Sequence, residues 1–379
     1  MKRIDWANDR LDTTTSGSSN KQILILGSGS YSDVVRGQLD MRRDIRDVAI
    51  KVLKPSRGGV YDYDKLCIDA LKEADIIASA THRMCNKSGI VTLYGVAVGA
   101  LTPELASFFE LRDGQKRVGL VLGYEPTSLH KVLYPESSLK ISMSTEQKIA
   151  LVRSLIDALR NLHNAACVHG DLKPQNILLS GDVNSFQVKL ADFNISELRE
   201  AAQETAATKG NTRHTLSAKG TKEYCAVEQL PDPSNPGSPV TKASRRTGVF
   251  SLGVIIWEIF SGKPPHHELG NNNEGALCLK VHKGGRPSDI LPGNIPDPSF
   301  EKEITNMPLA LRELAKRCWD ADKSTRPTAT ECYSTISQIQ NVFLKKTFDI
   351  FFSHCWADKA ILSHVYSMLT DLEFRVLVR

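Results

Sequence analysis

Residues 168–179 read VHGDLKPQNILL, and the letters KLADFN follow a short distance downstream. Transfer of a phosphoryl group requires a carboxylate near the attacking hydroxyl and oxygen ligands for Mg²⁺. In these stretches Asp171 can supply the carboxylate, and Lys173 can neutralise charge that develops on the moving phosphate. Asn176 and Asp192 can supply the oxygen ligands. Carboxylates and lysines on loops are common solvated residues, so the prediction of phosphoryl transfer rests on the whole ordered set.

A second phosphate-handling signal lies upstream, where residues 27–34 read GSGSYSDV between two strand-like runs. Gly27 and Gly29 would let backbone amides approach a phosphate without an intervening side chain. A plain hairpin with two turn glycines explains the same letters equally well. Lys51 follows on the apolar run VAIKVL, and Glu73 stands on the next predicted helix. This combination favours a phosphate-binding lysine that is oriented by an ion pair, although a lysine on an apolar strand can also reach solvent.

Hydrophobic patterning places strands in the first part of the chain and helices in most of the rest. Short apolar runs bounded by turn residues predict strands at 23–26, 33–37, 48–53, 89–98, 118–122, 177–179 and 188–190. Apolar residues at helical spacing predict helices over 64–81 and 144–164. This order indicates an α+β protein in which the sheet and the helices are segregated.

The composition argues against several other classes of protein. The chain has 379 residues, of which 41% are hydrophobic, and a net charge of +5, which gives no reason to expect a nucleic-acid partner. No apolar run reaches the roughly 18 residues of a membrane span, and the charged N-terminus does not resemble a signal peptide. The eight cysteines include no Cys-x-x-Cys pair, which argues against a zinc site or a disulfide framework. We therefore expect a cytoplasmic protein that binds neither nucleic acid nor membrane.

Taken together, the motifs resemble those of the eukaryotic protein kinase superfamily over residues 22–342. The resemblance implies a bilobal α+β fold, with a small antiparallel-sheet N-lobe over 22–122 and a mainly helical C-lobe over 125–342. Residues 1–21, which include a polar cluster, are expected to form a disordered leader. The Lys-Pro pair two residues after Asp171 is similar to that of serine/threonine kinases, whereas other segments resemble the tyrosine-kinase-like branch.

The same resemblance implies roles for individual residues, with ATP and Mg²⁺ as cofactors. Lys51 would contact the α- and β-phosphates while paired with Glu73, and Asp171 would act as the catalytic base. Lys173 completes the predicted catalytic set. Magnesium would be bound by Asn176 and Asp192. The nucleotide would lie among a larger set of predicted contacts, namely Gly27, Gly29, Val34, Ala49, Lys51, Leu122, Tyr124 and Leu178. Arg326 is expected to pair with Glu228.

These roles predict a protein serine/threonine kinase that transfers the γ-phosphate of Mg-ATP to protein substrates in a signalling pathway. Five positions depart from the family pattern, namely Ser32, Gly170, Asn194, Val227 and Gly248. Gly170 replaces an arginine that normally pairs with a phosphorylated activation loop, and Gly248 replaces an aspartate that braces the catalytic loop. An ATP-binding pseudokinase that serves as a signalling scaffold is therefore the alternative. The segment 192–228 resembles a platform for peptide substrates, which disfavours a small-molecule phosphotransferase.

Residues 347–379 resemble the first strand and loop of a Toll/interleukin-receptor (TIR) domain. About thirty residues cannot bury the core of a domain of the usual size, so we expect a truncated, incomplete α/β segment. An appendage of the kinase domain, made of one strand and one helix, is the alternative. In a full-length protein such a module would be expected to support self-association.

Overall fold

The computed structural model describes most of the chain in fifteen stretches. They are residues 3–5, 11–12, 23–29, 31–41, 44–54, 62–84, 89–109, 114–136, 142–193, 221–235, 237–269, 273–287, 306–345, 350–352 and 376–378. Asn194, and with it most of the segment that leads to Thr221, lies outside the described residues. The helix of the appendage considered for residues 347–379 lies outside them as well.

A seven-stranded sheet forms the N-terminal part of the described structure. Its strands are β1 (Arg3–Asp5), β2 (Leu11–Asp12), β3 (Ile25–Ser28), β4 (Ser32–Asp40), β5 (Ile45–Leu53), β6 (Leu93–Ala100) and β7 (Lys116–Gly123). They are ordered β1-β6-β7-β5-β4-β2, and β3 also pairs with β4. The pairings are antiparallel except for that of β1 with β6, which is parallel. The sheet is therefore mixed and not antiparallel as predicted, because no hairpin turn constrains the direction in which β1 reaches β6.

Residues 3–5 and 11–12 belong to this sheet, although they lie within the range 1–21 that is expected to be a disordered leader; the other residues of that range lie outside the described structure. Ile4 lies opposite Ala97 of β6, and its side chain is fully buried. At the other end of the strand order, Leu11 pairs with Leu39 of β4. These two strands were not predicted because strands of two or three residues carry no periodic hydrophobic signal. An uncovered sheet edge offers unpaired N–H and C=O groups that such short segments can satisfy.

The two faces of the sheet pack against different layers. On one face, Val35, Ile50 and Val121 are fully buried in a cluster that includes residues of α2 (Pro103–Phe108). The other face is covered by α1 (Tyr63–Arg83), which packs on β6 and β7. Successive strand residues point to opposite faces, so this second face can present side chains toward the helical part of the molecule.

Both helices predicted from periodicity are confirmed, and capping residues set their first turns. The side chain of Asp62 accepts a hydrogen bond from the amide of Lys65 at the start of α1. At the start of α4 (Thr145–Asn164), the side chains of Ser144 and Gln147 each accept from the other's backbone amide. Among the helices in the described residues, none has both the length and the apolar composition needed to cross a membrane.

The helical part is built around the buried helix α5 (Arg245–Ser261). Besides α4, its other elements are β8 (Thr127–Ser128), β9 (Ile177–Ser180), β10 (Gln187–Leu190), α3 (Leu129–Leu133), α6 (Glu274–His282), α7 (Leu309–Cys318) and α8 (Ala329–Lys345). Every residue of α5 from Val249 to Phe260 is buried. Gly253 lets α7 approach closely, because a Cβ on that glycine would lie 2.8 Å from Cβ of Cys318.

A separate pair of strands lies at the C-terminal end of the described residues. The strands β11 (Ile350–Phe352) and β12 (Val376–Val378) run parallel to each other. Parallel strands need a crossover connection, as an α/β segment would supply. The second strand goes beyond an appendage of one strand and one helix, and the TIR resemblance stays a prediction.

Replacement of Ile4 by alanine tests whether β1 is part of the cooperative fold. Because Ile4 is fully buried, we expect Ile4→Ala to lower the free energy of unfolding by about 2–4 kcal/mol. Ile45→Ala is the matched control, since Ile45 on β5 is 64% exposed, and it should change that free energy by less than about 0.5 kcal/mol. Urea denaturation measures both. Equally small effects would show that residues 3–5 lie outside the cooperative unit.

Candidate active site

One lysine ammonium joins three segments that are distant in the sequence. Nζ of Lys51 on β5 lies 2.7 and 2.9 Å from the carboxylate oxygens of Glu73 on α1. It also lies 2.5 Å from Oδ1 of Asp192, in the loop after β10. Lys51 and Glu73 are buried, whereas the side chain of Asp192 is 54% exposed. The structure thus brings together three of the residues that the sequence singled out.

The charges of this cluster support one another. Burial alone would lower the pKa of Lys51, but the carboxylates of Glu73 and Asp192 outweigh it and raise that pKa. Burial alone would raise the pKa of Asp192, but the Lys51 ammonium holds it below its usual value. At neutral pH the cleft therefore presents a cation suited to phosphates beside an anion suited to a metal.

Asp171 lies at the centre of a second group of polar contacts. Its Oδ2 is 2.7 Å from Nζ of Lys173. The side-chain amide of Asn176 donates to that oxygen at 3.2 Å and to the backbone carbonyl of Asp171 at 2.8 Å. The backbone amide of Thr221 donates to Oδ1 at 3.4 Å, and Nζ of Lys173 donates to the Thr221 hydroxyl at 2.9 Å. The carboxylate is held from both the loop after α4 and the segment that begins at Thr221.

His169, which the sequence analysis overlooked, anchors this loop from inside the protein. Its buried ring donates from Nε2 to the carbonyl of Ala191 at 2.9 Å and accepts at Nδ1 from the amide of Asp171 at 3.4 Å. The ring also packs against Phe193, with centroids 4.9 Å apart. Burial lowers the pKa of His169 although Asp171 opposes it, so the ring is neutral. A histidine directly before the Gly-Asp of the polar loop is the signal that could have revealed this anchor.

Val34, Ala49 and Leu122 are the predicted nucleotide contacts that share the sheet face of Lys51. In the strand pairings Val34 is opposite Lys51, and Ala49 is opposite Leu122. Directly opposite residues project to the same face, so these four side chains form one surface. The predicted contacts that are only half-buried are Val34, Ala49, Tyr124 and Leu178. Partly exposed apolar side chains around a cleft are suited to holding a flat ring.

The glycine loop is a tight hairpin with an open backbone. Gly27 of β3 pairs with Val34 of β4, and the amide of Gly29 donates to the carbonyl of Ser32 at 2.9 Å. A Cβ on Gly27 would meet no atom within 4 Å. The hairpin interpretation is therefore confirmed. Because the backbone at Gly27 is unobstructed, the same hairpin is also compatible with binding a phosphate.

Asn176 and Asp192 have the chemistry that Mg²⁺ prefers, which is hard oxygen ligands. Asn176 directs its amide nitrogen at Asp171, which leaves its side-chain carbonyl oxygen for a cation. Asp192 is ionised and half-exposed, and its φ of 60° is a conformation that aspartate tolerates better than most residues. The described residues contain no cluster of three or more His, Cys, Asp or Glu side chains arranged for a metal. A Mg²⁺ ion held here would thus complete its shell with water or phosphate oxygens.

A buried carboxylate docks the segment after Thr221 onto α5. The hydroxyl of Tyr224 donates to the two oxygens of Glu258 at 3.1 and 2.9 Å, and the hydroxyl of Tyr134 donates at 2.8 Å. Burial raises the pKa of Glu258 to about 7, although both hydroxyls stabilise its anion. These hydrogen bonds attach the segment after Thr221 to the buried helix at the centre of the helical part.

Two departures from the family pattern leave the local geometry intact. Gly170 has a φ of 81°, a left-handed conformation that glycine adopts without strain. Val227 precedes Glu228, which nevertheless makes the predicted pair with Arg326 through contacts of 2.7 and 2.8 Å. The Arg326 side chain is fully buried, so this confirmed pair is a fixed point of the fold.

Comparison with known proteins agrees with this arrangement. The model of the protein kinase domain matches residues 21–336. Human receptor-interacting serine/threonine-protein kinase 1 is 28% identical over 220 residues, 56% of this chain and 28% of that protein. Dual specificity protein kinase shkC of Dictyostelium discoideum is 25% identical over 324 residues, 83% of this chain and 50% of that protein. A probable LRR receptor-like serine/threonine-protein kinase of Arabidopsis thaliana is 28% identical over 338 residues, 86% and 27% of the two chains. The chain spans half or less of each of these relatives.

Glu258 makes the stability of the fold depend on pH. Folding raises its pKa from 4.5 to about 7, so the folded protein retains a proton that the unfolded chain releases. Stability therefore falls as the pH rises between these two values. Glu258→Gln removes the titration and keeps an acceptor for both tyrosines. We expect the free energy of unfolding of the variant, relative to that of the wild type, to increase by up to about 3 kcal/mol as the pH rises from roughly 5 to 8.

Denaturant unfolding at several pH values measures this difference. Glu313→Gln serves as the control, since Glu313 is 54% exposed in a surface pair with Lys316, and its curve should parallel that of wild type. If the curve of Glu258→Gln also runs parallel to wild type, the buried carboxylate does not titrate in this range.

Proposed function

Because this chain belongs to the protein kinase family, we propose that it transfers the γ-phosphate of Mg-ATP to serine and threonine hydroxyls of protein substrates in signalling. The observation that carries the proposal is the setting of Asp171. Lys173, Asn176 and Thr221 all contact its carboxylate, which is held in one position as a group that receives a hydroxyl proton must be. A loop carboxylate without such contacts would support only a solvated surface role.

Nucleotide binding follows from the sheet face that carries Lys51. Val34, Ala49 and Leu122 offer apolar surface to the base, and the Lys51 ammonium, kept charged by Glu73, faces the phosphates. Bound Mg²⁺ would neutralise charge on the phosphate oxygens. Asn176 and Asp192 are the residues that would hold it.

Phosphoryl transfer then depends on two charges beside the acceptor. Asp171 would orient the substrate hydroxyl and take its proton. Nζ of Lys173, 2.7 Å from that carboxylate and 2.9 Å from the Thr221 hydroxyl, would stabilise charge on the transferred phosphate. Both groups lie on fixed loops, so little reorganisation is needed when the substrate binds.

The bridge between Lys173 and Thr221 supports serine/threonine specificity. It keeps the segment that begins at Thr221 within hydrogen-bond distance of Asp171. A short serine or threonine side chain reaches the carboxylate in such a confined space, whereas the longer tyrosine needs the segment to stand further away. Relatives named as serine/threonine and as dual specificity kinases agree with phosphoryl transfer to hydroxyl groups of proteins.

An ATP-binding pseudokinase that acts as a scaffold is the second candidate. The observation that favours it is Gly248, which leaves the first turn of α5 without a side chain behind the loop of Asp171. A less firmly held carboxylate would lower the transfer rate, because catalysis is sensitive to small displacements.

Asp171→Asn separates the two candidates. We expect the wild-type protein with labelled ATP and Mg²⁺ to phosphorylate itself or a generic basic protein, and Asp171→Asn to reduce the rate by roughly 10²- to 10⁴-fold. Asp75→Asn, an exposed position on α1, is the matched control and should retain the wild-type rate. Binding of ATP is followed separately by thermal shift. Clear ATP binding without transfer by the wild type would establish the scaffold and reject the kinase.

Thr221→Val tests the bridge and the acceptor preference together. The substitution keeps the shape of the side chain and removes the hydroxyl that Lys173 binds, so we expect a loss of about 10- to 100-fold in transfer rate. Thr330→Val, at an exposed position on α8, should have no effect on the transfer rate.

Matched peptides that differ only in serine, threonine or tyrosine measure the acceptor preference. We expect the wild type to phosphorylate the serine and threonine peptides. Preferential labelling of the tyrosine peptide would contradict the assignment.

A further inference from the structure

The glycine hairpin, which joins β3 to β4 and contains Gly27 and Gly29, has an open backbone. A Cβ on Gly27 would meet no atom within 4 Å, and a Cβ on Gly29 would meet only the carbonyl oxygen of Ser32, at 3.7 Å. Glycine loses more conformational freedom on folding than any other residue. Phosphate binding by this hairpin therefore depends on the groups that hold its glycines in place.

The ammonium group of Lys54, the first residue after β5, contacts the glycine hairpin at three points. Its Nζ lies 2.7 Å from Oδ1 of Asp33 and donates to the carbonyl of Gly29 at 3.1 Å. It also donates to the hydroxyl of Ser28 at 3.3 Å. That hydroxyl donates in turn to the same Asp33 oxygen at 2.6 Å. The contacts among Lys54, Asp33, Gly29 and Ser28 form one network, the lysine clamp.

Backbone hydrogen bonds fix the lysine beside the hairpin. The amide of Lys54 donates to the carbonyl of Tyr31 at 2.8 Å, and the amide of Gly29 donates to the carbonyl of Ser32 at 2.9 Å. Lys54 thus extends the strand pairing in which Ser32 of β4 lies opposite Leu53 of β5. Because the backbone of Lys54 is already ordered, only side-chain freedom is lost when its ammonium group binds the hairpin.

The lysine clamp lies on the sheet face opposite the cleft. Val34 of β4 is opposite Lys51 of β5, on the face of the predicted nucleotide contacts, and Asp33 is opposite Val52. Successive residues of a strand point to opposite faces, so Asp33 and Val52 project away from the cleft. Since Lys54 is paired with Asp33, its ammonium group holds the hairpin from behind and is not placed to bind a phosphate itself.

The contacts of the lysine clamp order the hairpin without adding much to the stability of the fold. The side chains of Lys54 and Asp33 are 36% and 15% exposed, and ion pairs that solvent screens contribute little to the free energy of unfolding. A charged donor nevertheless makes a stronger hydrogen bond than a neutral one, so the carbonyl of Gly29 is held in one direction. A backbone that is ordered before binding loses less entropy when the ligand binds.

We infer that Lys54 is a positioning residue, which holds the glycine hairpin in the shape that binds the phosphates of ATP. The inference rests on the proposed function, because it concerns the nucleotide of that reaction. Lys54 acts through the backbone of Gly29 and does not touch the nucleotide. Loss of its ammonium group should therefore weaken the interactions of the phosphates and leave those of the base, at Val34, Ala49 and Leu122, unchanged.

Lys54→Met tests this role on the full chain with two ligands, Mg-ATP and adenosine. Methionine keeps an unbranched side chain and removes the ammonium group, so we expect the dissociation constant of Mg-ATP to rise about tenfold. Adenosine has no phosphate, and its dissociation constant should stay unchanged. Isothermal titration calorimetry measures both. Lys316→Met is the matched control, since Lys316 on α7 is 51% exposed in a surface pair with Glu313, and it should bind both ligands as the wild type does.

Asp33→Asn separates the effect of position from that of charge. Removal of a carboxylate near the bound phosphates would, by charge alone, tighten the binding of Mg-ATP. Removal of the partner of Lys54 loosens the hairpin, so we expect the dissociation constant of Mg-ATP to rise by about three- to tenfold. The double variant Lys54→Met/Asp33→Asn should bind Mg-ATP about as well as Lys54→Met alone, because both substitutions disrupt the same network.

Three results would overturn the inference. The first is a Lys54→Met variant that binds Mg-ATP as tightly as the wild type. The second is an equal loss of affinity for Mg-ATP and for adenosine, which would indicate a general structural role. The third is tighter binding of Mg-ATP by Asp33→Asn than by the wild type.

The phosphorylation assay distinguishes failure of this inference from failure of the proposed function. Lys54→Met should raise KM for ATP about tenfold and leave kcat unchanged, since Asp171 and Lys173 keep their contacts. Weaker Mg-ATP binding by Lys54→Met in a protein that transfers no phosphate would reject the kinase and leave the positioning role standing. Phosphate transfer with an unchanged KM for ATP in Lys54→Met would reject the positioning role and leave the kinase standing.

Discussion

The ammonium group of Lys51 is the contact on which the arrangement of the site depends. It is the common partner of Glu73 on α1 and Asp192 after β10, so the sheet, the helix and the helical part of the molecule meet at one nitrogen. One cation faces two anions, and the cluster therefore carries a net negative charge. This excess charge would favour a cation beside the exposed side of Asp192. It also makes the geometry of the cleft depend on the ionisation of a few buried groups.

Loops near the cleft are held by buried polar contacts, because they have no ladder of backbone hydrogen bonds to fix them. The ring of His169 connects the loop of Asp171 to the carbonyl of Ala191. Glu258 accepts a hydrogen bond from the hydroxyl of Tyr224. The guanidinium of Arg326 donates to the carboxylate of Glu228. Each of these groups would be costly to bury alone. When these groups are paired, they hold irregular backbone segments in a single conformation. Precision at the site is thus obtained from interactions that contribute little net stability.

The parts that could be predicted from the sequence are those in which chemistry or periodicity leaves a local trace. Helices α1 and α4 repeat apolar residues at helical spacing, and phosphate chemistry demands a lysine, carboxylates and an amide at separated positions that can be recognised one by one. The pairing of Ile4 with β6 left no such trace, since it depends on residues more than ninety positions apart. Nε2 of His163 has no hydrogen-bond partner among the described residues, at the place where α4 meets Gly248 of α5. No sequence pattern records which atoms a side chain does not contact.

The short strands at the start of the chain also limit the shape of the sheet. β1 ends at Asp5 and β2 begins at Leu11, and they occupy opposite ends of the strand order. A chain of six residue steps spans at most about 20 Å, whereas five strand spacings in a flat sheet would separate the two strands by about 24 Å. The sheet must curve to bring its outer strands within that reach. The length of the connecting chain therefore sets the least curvature that the sheet can have.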